Sequence, residues 1–126
     1  MDPKVKKTLN IISNVLVVLL IALTLVLGGA WLAGLRTYTV LSGSMEPTYH
    51  TGSIIYVKKI AAEDIQAGTV ITFMLNEDTV VTHRVVEVVP DEEDPTVLRF
   101  RTKGDANDAE DGGLVHYKNV IGTPVF

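Results

Sequence analysis

The chain has 126 residues, 47% of them hydrophobic, no cysteine and a formal net charge of −4. That length admits one modest domain with an appendage, and the missing thiols exclude a disulfide framework, a thiolate zinc site and a cysteine nucleophile. Residues 37–126 hold 14 Asp or Glu against 7 Lys or Arg, a net of −7, which argues against nucleic acid as a partner because phosphate binding needs a basic patch.

The first element is apolar. Residues 15–35 run without a charge and are rich in Leu, Val, Ile and Ala. At 1.5 Å per residue such a helix measures roughly 31 Å, about the hydrocarbon thickness of a bilayer. Leu9, Ile11 and Ile12 extend it backwards, which places a transmembrane helix at 9–35 behind a tail of residues 1–8. Lys4, Lys6 and Lys7 precede it and Arg36 alone follows closely. That excess predicts a single-pass membrane protein with residues 1–8 cytoplasmic and residues 36–126 extracytoplasmic. A cleaved signal peptide is the rival reading, since Gly28-Gly29-Ala30 offers small residues. The apolar run is longer than a signal peptide's core and continues through Leu35, which favours a retained anchor.

Beyond the anchor the pattern turns to short strands. Residues 36–41, 53–58, 69–75, 79–89, 96–102 and 114–121 are β-branched or aromatic and are separated by Gly, Asp and Pro turns. Asn76-Glu77-Asp78 makes 69–75 and 79–89 a hairpin, and residues 62–68 read as a turn or short helix closed by Gly68. The acidic run 90–95 is a solvated tip without the spaced ligands and turn glycine of a calcium loop. The expected fold is a small, mainly β barrel or sandwich.

One loop carries chemistry: Ser42-Gly43-Ser44-Met45-Glu46-Pro47-Thr48. Gly43 lets the backbone turn tightly and approach another chain closely, while Pro47 rules out a helix through it. Such a loop can aim a hydroxyl and backbone N–H groups at one point, as acyl transfer requires. An isolated Ser-Gly-Ser is more often an ordinary turn, so its company decides. A serine needs a neighbouring base. Of the histidines, His50 and His116 lie in loop or edge contexts, whereas His83 shares a strand face with Val81 and Val85. Held rigidly and partly shielded, His83 suits a general base, although a lone strand histidine more often just packs. A carboxylate would orient the imidazolium. Asp105, Asp108, Glu110 and Asp111 are all candidates, and spacing alone does not separate them. The histidines show no metal-ligand spacing, so neither metal nor cofactor is expected.

Taken in order, the Ser42–Thr48 loop, Thr82-His83-Arg84-Val85, Thr102-Lys103-Gly104-Asp105 and Asp111 resemble the type I signal peptidases. More narrowly, the set is similar to the endoplasmic-reticulum type shared by eukaryotes, archaea and some Gram-positive bacteria. The resemblance implies an N-terminal transmembrane helix followed by a small β-rich, barrel-like peptidase domain. It implies Ser44 as nucleophile and Ser42 as a hydroxyl donor to the oxyanion beside the Ser44 N–H, with Met45 and Pro47 in the same substrate-binding loop. His83 stands where the familiar bacterial type carries a lysine base. Asp111 matches the family's catalytic acid, and Asp105 matches a second important acid that shapes the site. The implied function is a membrane-bound serine endopeptidase that removes signal peptides from exported preproteins, cutting after small residues. Its partners are then the lipid bilayer and the signal peptides themselves, at a cell membrane or an endoplasmic-reticulum membrane. Two rivals remain at this stage: a repressor-cleaving autoprotease of the Ser-Lys kind, and an anchored, non-enzymatic β-domain that binds a protein partner. The anchor and His83 count against the first, and a Ser44→Ala variant separates the second.

Overall fold

The computed structural model describes residues 1–125 and divides into two compact units, Met1–Gly34 and the chain from Leu35 onward. The first unit is one helix, α1, Pro3–Leu32. Asp2 caps it by accepting the Lys4 N–H at 2.8 Å, and Pro3 occupies a first-turn position where no N–H is needed. The helix therefore starts at Pro3 and takes Lys4, Lys6 and Lys7 into its first two turns. Its two threonines hide their hydroxyls by donating to the carbonyls of Lys4 and Leu20. No residue of α1 is buried within the structure, and it is long and apolar enough to cross a membrane. Gly34, at φ +80°, ends the run just before Leu35 with a conformation that favours glycine.

The second unit is mainly β, as predicted. Its strands are β1 (Leu35–Thr39), β2 (Ile54–Lys58), β3 (Val70–Asn76), β4 (Thr79–Pro90), β5 (Leu98–Lys103), β6 (Leu114–His116) and β7 (Val120–Pro124). All pair antiparallel in the order β1-β2-β7-β3-β4-β5-β6. Period-two alternation turns Phe100 and Thr102 of β5, and His83 and Val85 of β4, toward the interior. The core joins Ile65, Ile71, Phe73, Val85, Phe100 and Val115. Burial of such side chains stabilises the fold by about 1.5–3 kcal/mol each. Met45, Ile55 and Val57 are buried as well, on the β1–β2 side. Thr72 is also buried, and its hydroxyl is paired with that of Thr82 at 2.8 Å, so β3 is covered on both faces.

Residues 114–121 do not form the single strand expected of them. The structure breaks them into β6, a short 3-10 helix at Tyr117–Asn119, and β7. His116 causes the break locally: its ring nitrogen accepts the Lys118 N–H at 3.0 Å, a side-chain bond that competes with the ladder. Tyr117 anchors the bend through its hydroxyl to the Ile60 carbonyl. The chain then leaves the β6 edge and enters between β2 and β3, so residues 122–124 belong to a strand. Gly122 permits that insertion. A Cβ there would lie 2.1 Å from the Lys58 carbonyl oxygen.

Candidate active site

The β1–β2 connection is a long loop pinched at its neck by Val40 N–H to Ser53 O and Gly52 N–H to Val40 O, both at 2.8 Å. Within it the Met45 carbonyl accepts the Tyr49 N–H. The Glu46 carboxylate accepts the Thr51 N–H and contacts the His50 ring. The Thr51 bond, and then His50, hold the Glu46 carboxyl below its usual range. His50 is thereby a loop brace, and His116 a bend residue.

Gly43 is not tightly packed within the chain. A Cβ there would meet the Glu46 side chain at an ordinary 3.6 Å, and its φ is not positive. A close approach within the chain is made by Gly104, where a Cβ would fall 2.6 Å from the Ser44 carbonyl oxygen and 3.0 Å from the Ser44 Cβ. The Ser44 carbonyl also accepts the Ala106 N–H at 2.8 Å, so the turn after β5 grips the backbone of Ser44. Gly43→Ala is therefore expected to leave the fold and the Ser44 geometry intact. Gly104→Ala is expected to displace Ser44 at a cost of about 1–3 kcal/mol, read as a lower melting temperature and loss of Ser44 reactivity.

His83 reaches Ser44 from β4, where it pairs with Ile71 of β3. Its ring is buried edge-on to Phe73, with centroids 6.4 Å apart. Nε2 lies 3.0 Å from the Ser44 Oγ, and Nδ1 lies 2.6 Å from the Asp111 Oδ2. Asp111 stands at the far end of the loop after β5, tied back by its N–H to the Thr102 carbonyl at 2.8 Å. The Thr102 hydroxyl donates to the same Oδ2 at 2.6 Å. Ser42 Oγ is 3.0 Å from Ser44 Oγ. Hydroxyl, imidazole and carboxylate thus form one hydrogen-bonded line, the arrangement that lets a base take a serine proton while a carboxylate orients it.

The four carboxylates left open by spacing separate in space. Asp111 meets His83, Glu110 lies 3.8 Å from the Arg101 Nε, and Asp108 is exposed. Asp105 takes both Nε and Nη2 of Arg84 at 2.8 Å and the Thr48 hydroxyl at 2.7 Å. Arg84 follows His83 directly, so alternation turns it to the opposite face. Asp105 is therefore placed on a brace beside the serine loop rather than on the imidazole. Arg84 chiefly, and Thr48 further, hold its carboxyl down at about 2. The same pair raises the Arg84 guanidinium. A depressed carboxyl stabilises the fold fully above its unfolded value of 3.8, and that contribution is lost as pH falls through about 2. Asp105→Asn is thus expected to flatten the melting-temperature curve between these limits and to cost about 1 kcal/mol at neutral pH after solvent screening. Thermal melts of both proteins across that acid range check it.

A groove of about 570 Å³ opens beside Ser44, lined by Tyr38, Leu41, Met45, Val81 and His83 among others. Met45 is buried under it and its sulfur accepts the Asp105 N–H at 3.4 Å. Pro47 is exposed, outside that lining, after a cis bond from Glu46. The β4–β5 ladder starts at Arg84, so among the described residues the β4 edge from 79 to 83 stays unpaired on that side. Among the described residues no group of acidic or histidine side chains could hold a metal ion.

The sequence profile of the family "Signal peptidase, peptidase S26" matches residues 11–125. The chain belongs to the S26 signal peptidases. Within that family, Signal peptidase I W of Bacillus subtilis (strain 168) is 43% identical over 124 residues, covering 89% of this chain and 64% of the relative. The Homo sapiens signal peptidase complex catalytic subunit SEC11C is 40% identical over 76 residues, 60% of this chain and 38% of the relative. The chain thus spans less than two thirds of the length of either S26 relative. Reading the sequence alone gave no role to Thr102, Gly104, Arg84 or Thr48. A threonine on the otherwise apolar inward face of β5, beside Leu98 and Phe100, was the available signal for Thr102.

Proposed function

We propose that the chain is a membrane-anchored serine endopeptidase that removes signal peptides from exported preproteins. The observation that carries this is the hydrogen-bonded line from Ser44 Oγ through His83 to Asp111, opening into the groove beside β4. His83 Nε2 takes the Ser44 proton as the Oγ attacks the scissile carbonyl. The Ser44 N–H and the Ser42 hydroxyl hold the resulting oxyanion. His83 then protonates the leaving amine, and a water activated by the same nitrogen clears the acyl-enzyme. Asp111 steadies the imidazolium, and Asp105 braces the serine loop through Thr48 and Arg84.

The substrate lies extended along the unpaired β4 edge as an added strand, with main-chain hydrogen bonds giving affinity. Small residues such as Ala occupy the first and third positions before the cut, against Met45 and its neighbours. Residues 9–35 cross the membrane, residues 1–8 lie in the cytoplasm, and residues 36–126 lie outside it, an orientation that follows from Lys4, Lys6 and Lys7.

The test is cleavage of a preprotein with Ala at both positions, by purified protein in lipid and by membranes that contain it. Wild type should cut after the second Ala, and Ser44→Ala should bind the same preprotein without cutting. Folded wild type that binds but cuts in neither preparation would overturn the enzymatic reading in favour of an anchored binding domain.

A further inference from the structure

We infer that Thr102 is a positioning residue for the reaction: its hydroxyl fixes the Asp111 carboxylate so that one oxygen receives the His83 Nδ1–H. This deepens the proposed site and rests on the reading that Ser44, His83 and Asp111 act together. Thr102 is fully buried on β5, one alternation from Phe100 and opposite Val85 of β4. Both neighbours are apolar, and valine would fill the same volume on a strand. A buried hydroxyl costs free energy unless it is bonded. This one donates to Asp111 Oδ2 at 2.6 Å, the oxygen that also lies 2.6 Å from His83 Nδ1.

The aspartate is held twice from the same residue, because its N–H also bonds the Thr102 carbonyl at 2.8 Å. Asp111 comes from a loop, and a carboxylate on a loop can rotate about its last torsion. Two donors converging on one oxygen select one rotation. That fixes the proton on Nδ1 and leaves Nε2 bare toward Ser44, the tautomer a base needs. Two nearby guanidiniums are committed elsewhere: Arg84 to Asp105, and Arg101 to Glu87 and Glu110.

The test compares Thr102→Ala with Thr102→Ser, and uses Thr102→Val if alanine prevents folding. Removing the hydroxyl is expected to lower kcat by about 10- to 100-fold, with KM within about twofold because no substrate contact is lost. Serine, which keeps the hydroxyl, is expected to restore kcat to within about threefold. The low-field proton resonance of His83 Nδ1 should move or broaden in the alanine variant and return in the serine variant. Equal losses in both variants would assign the effect to the methyl group and overturn the inference, as would an unchanged kcat in Thr102→Ala. Should wild type not cut any preprotein, the catalytic reading falls, and the His83 resonance still decides: an unmoved signal in Thr102→Ala overturns the positioning role.

Discussion

Alanine at Ser44 or at His83 is expected to lower preprotein cleavage by on the order of a thousandfold or more, and the double variant to be no slower than the worse single one. The reason is that, in the proposed mechanism, the two side chains perform one step. At neutral pH a serine hydroxyl holds its proton, and Ser44 reacts only if the nitrogen 3.0 Å away accepts it. Once either is gone the other has nothing left to do. Losses that multiply in the double variant would assign the residues to separate tasks and overturn the single-step mechanism. Asp111 gives a finer reading. Asp111→Ala removes both charge and orientation. In Asp111→Asn the amide oxygen can still occupy the Oδ2 place and accept from His83 and Thr102, with its nitrogen at the freer Oδ1 place. The asparagine variant should therefore be milder than the alanine variant, and equal losses would make charge rather than orientation the contribution of Asp111.

The second large effect is structural. Gly122→Ala is expected to destabilise the β unit by about 3 kcal/mol or more, at the upper end of what overpacking costs. The added methyl would stand 2.1 Å from the Lys58 carbonyl oxygen and 2.6 Å from its carbon, both backbone atoms. No side chain can swing aside to relieve that contact. Either β7 separates from β2, which loses the Val57–Pro124 and Lys58–Thr123 pairs, or β2 moves with β1 and the serine loop. At about 4–8 °C per kcal/mol for a domain of this size, the melting temperature should fall by more than about 10 °C. A shift of only a few degrees would mean that β2 and β7 part at little cost. Gly52→Ala, strained by its φ of +89° yet with nothing near its Cβ, is the natural comparison.

What the sequence made legible follows from where its physics is local. The anchor was readable because a charge-free run needs no tertiary partner to be recognised. The β3–β4 hairpin was readable because Asn76-Glu77-Asp78 sits between two β-branched runs, and in the structure the Asn76 side chain does take the Asp78 N–H. Alternation put His83 on an inward strand face, and the family resemblance gave it a role. Residues 114–121 were misread because one ring nitrogen, on His116, turns the chain where composition predicts continuity. Gly104 was given no role for a related reason. Which glycine touches another segment depends on a pairing between loops some 60 residues apart, and neither segment records the other. Spacing could not tell the four acidic residues near 105–111 apart for the same cause, since the partners Arg84, His83 and Arg101 sit on two different strands, and only the family resemblance singled out Asp111 and Asp105.

The place of β7 carries a consequence for how the molecule is made. It is the last of the described strands along the chain but third across the sheet, between β2 and β3. Until it is synthesised, the β1–β2 ribbon bearing the serine and the β3–β6 sheet bearing the histidine have no ladder in common. A nascent chain emerging from the ribosome would join Ser44 and His83 only through loop contacts such as Ala106 N–H to Ser44 O and Thr48 to Asp105, and insertion of residues 120–124 would add the missing ladder. In the proposed mechanism, a chain cut before Val120 should lack that ladder and cleave no preprotein.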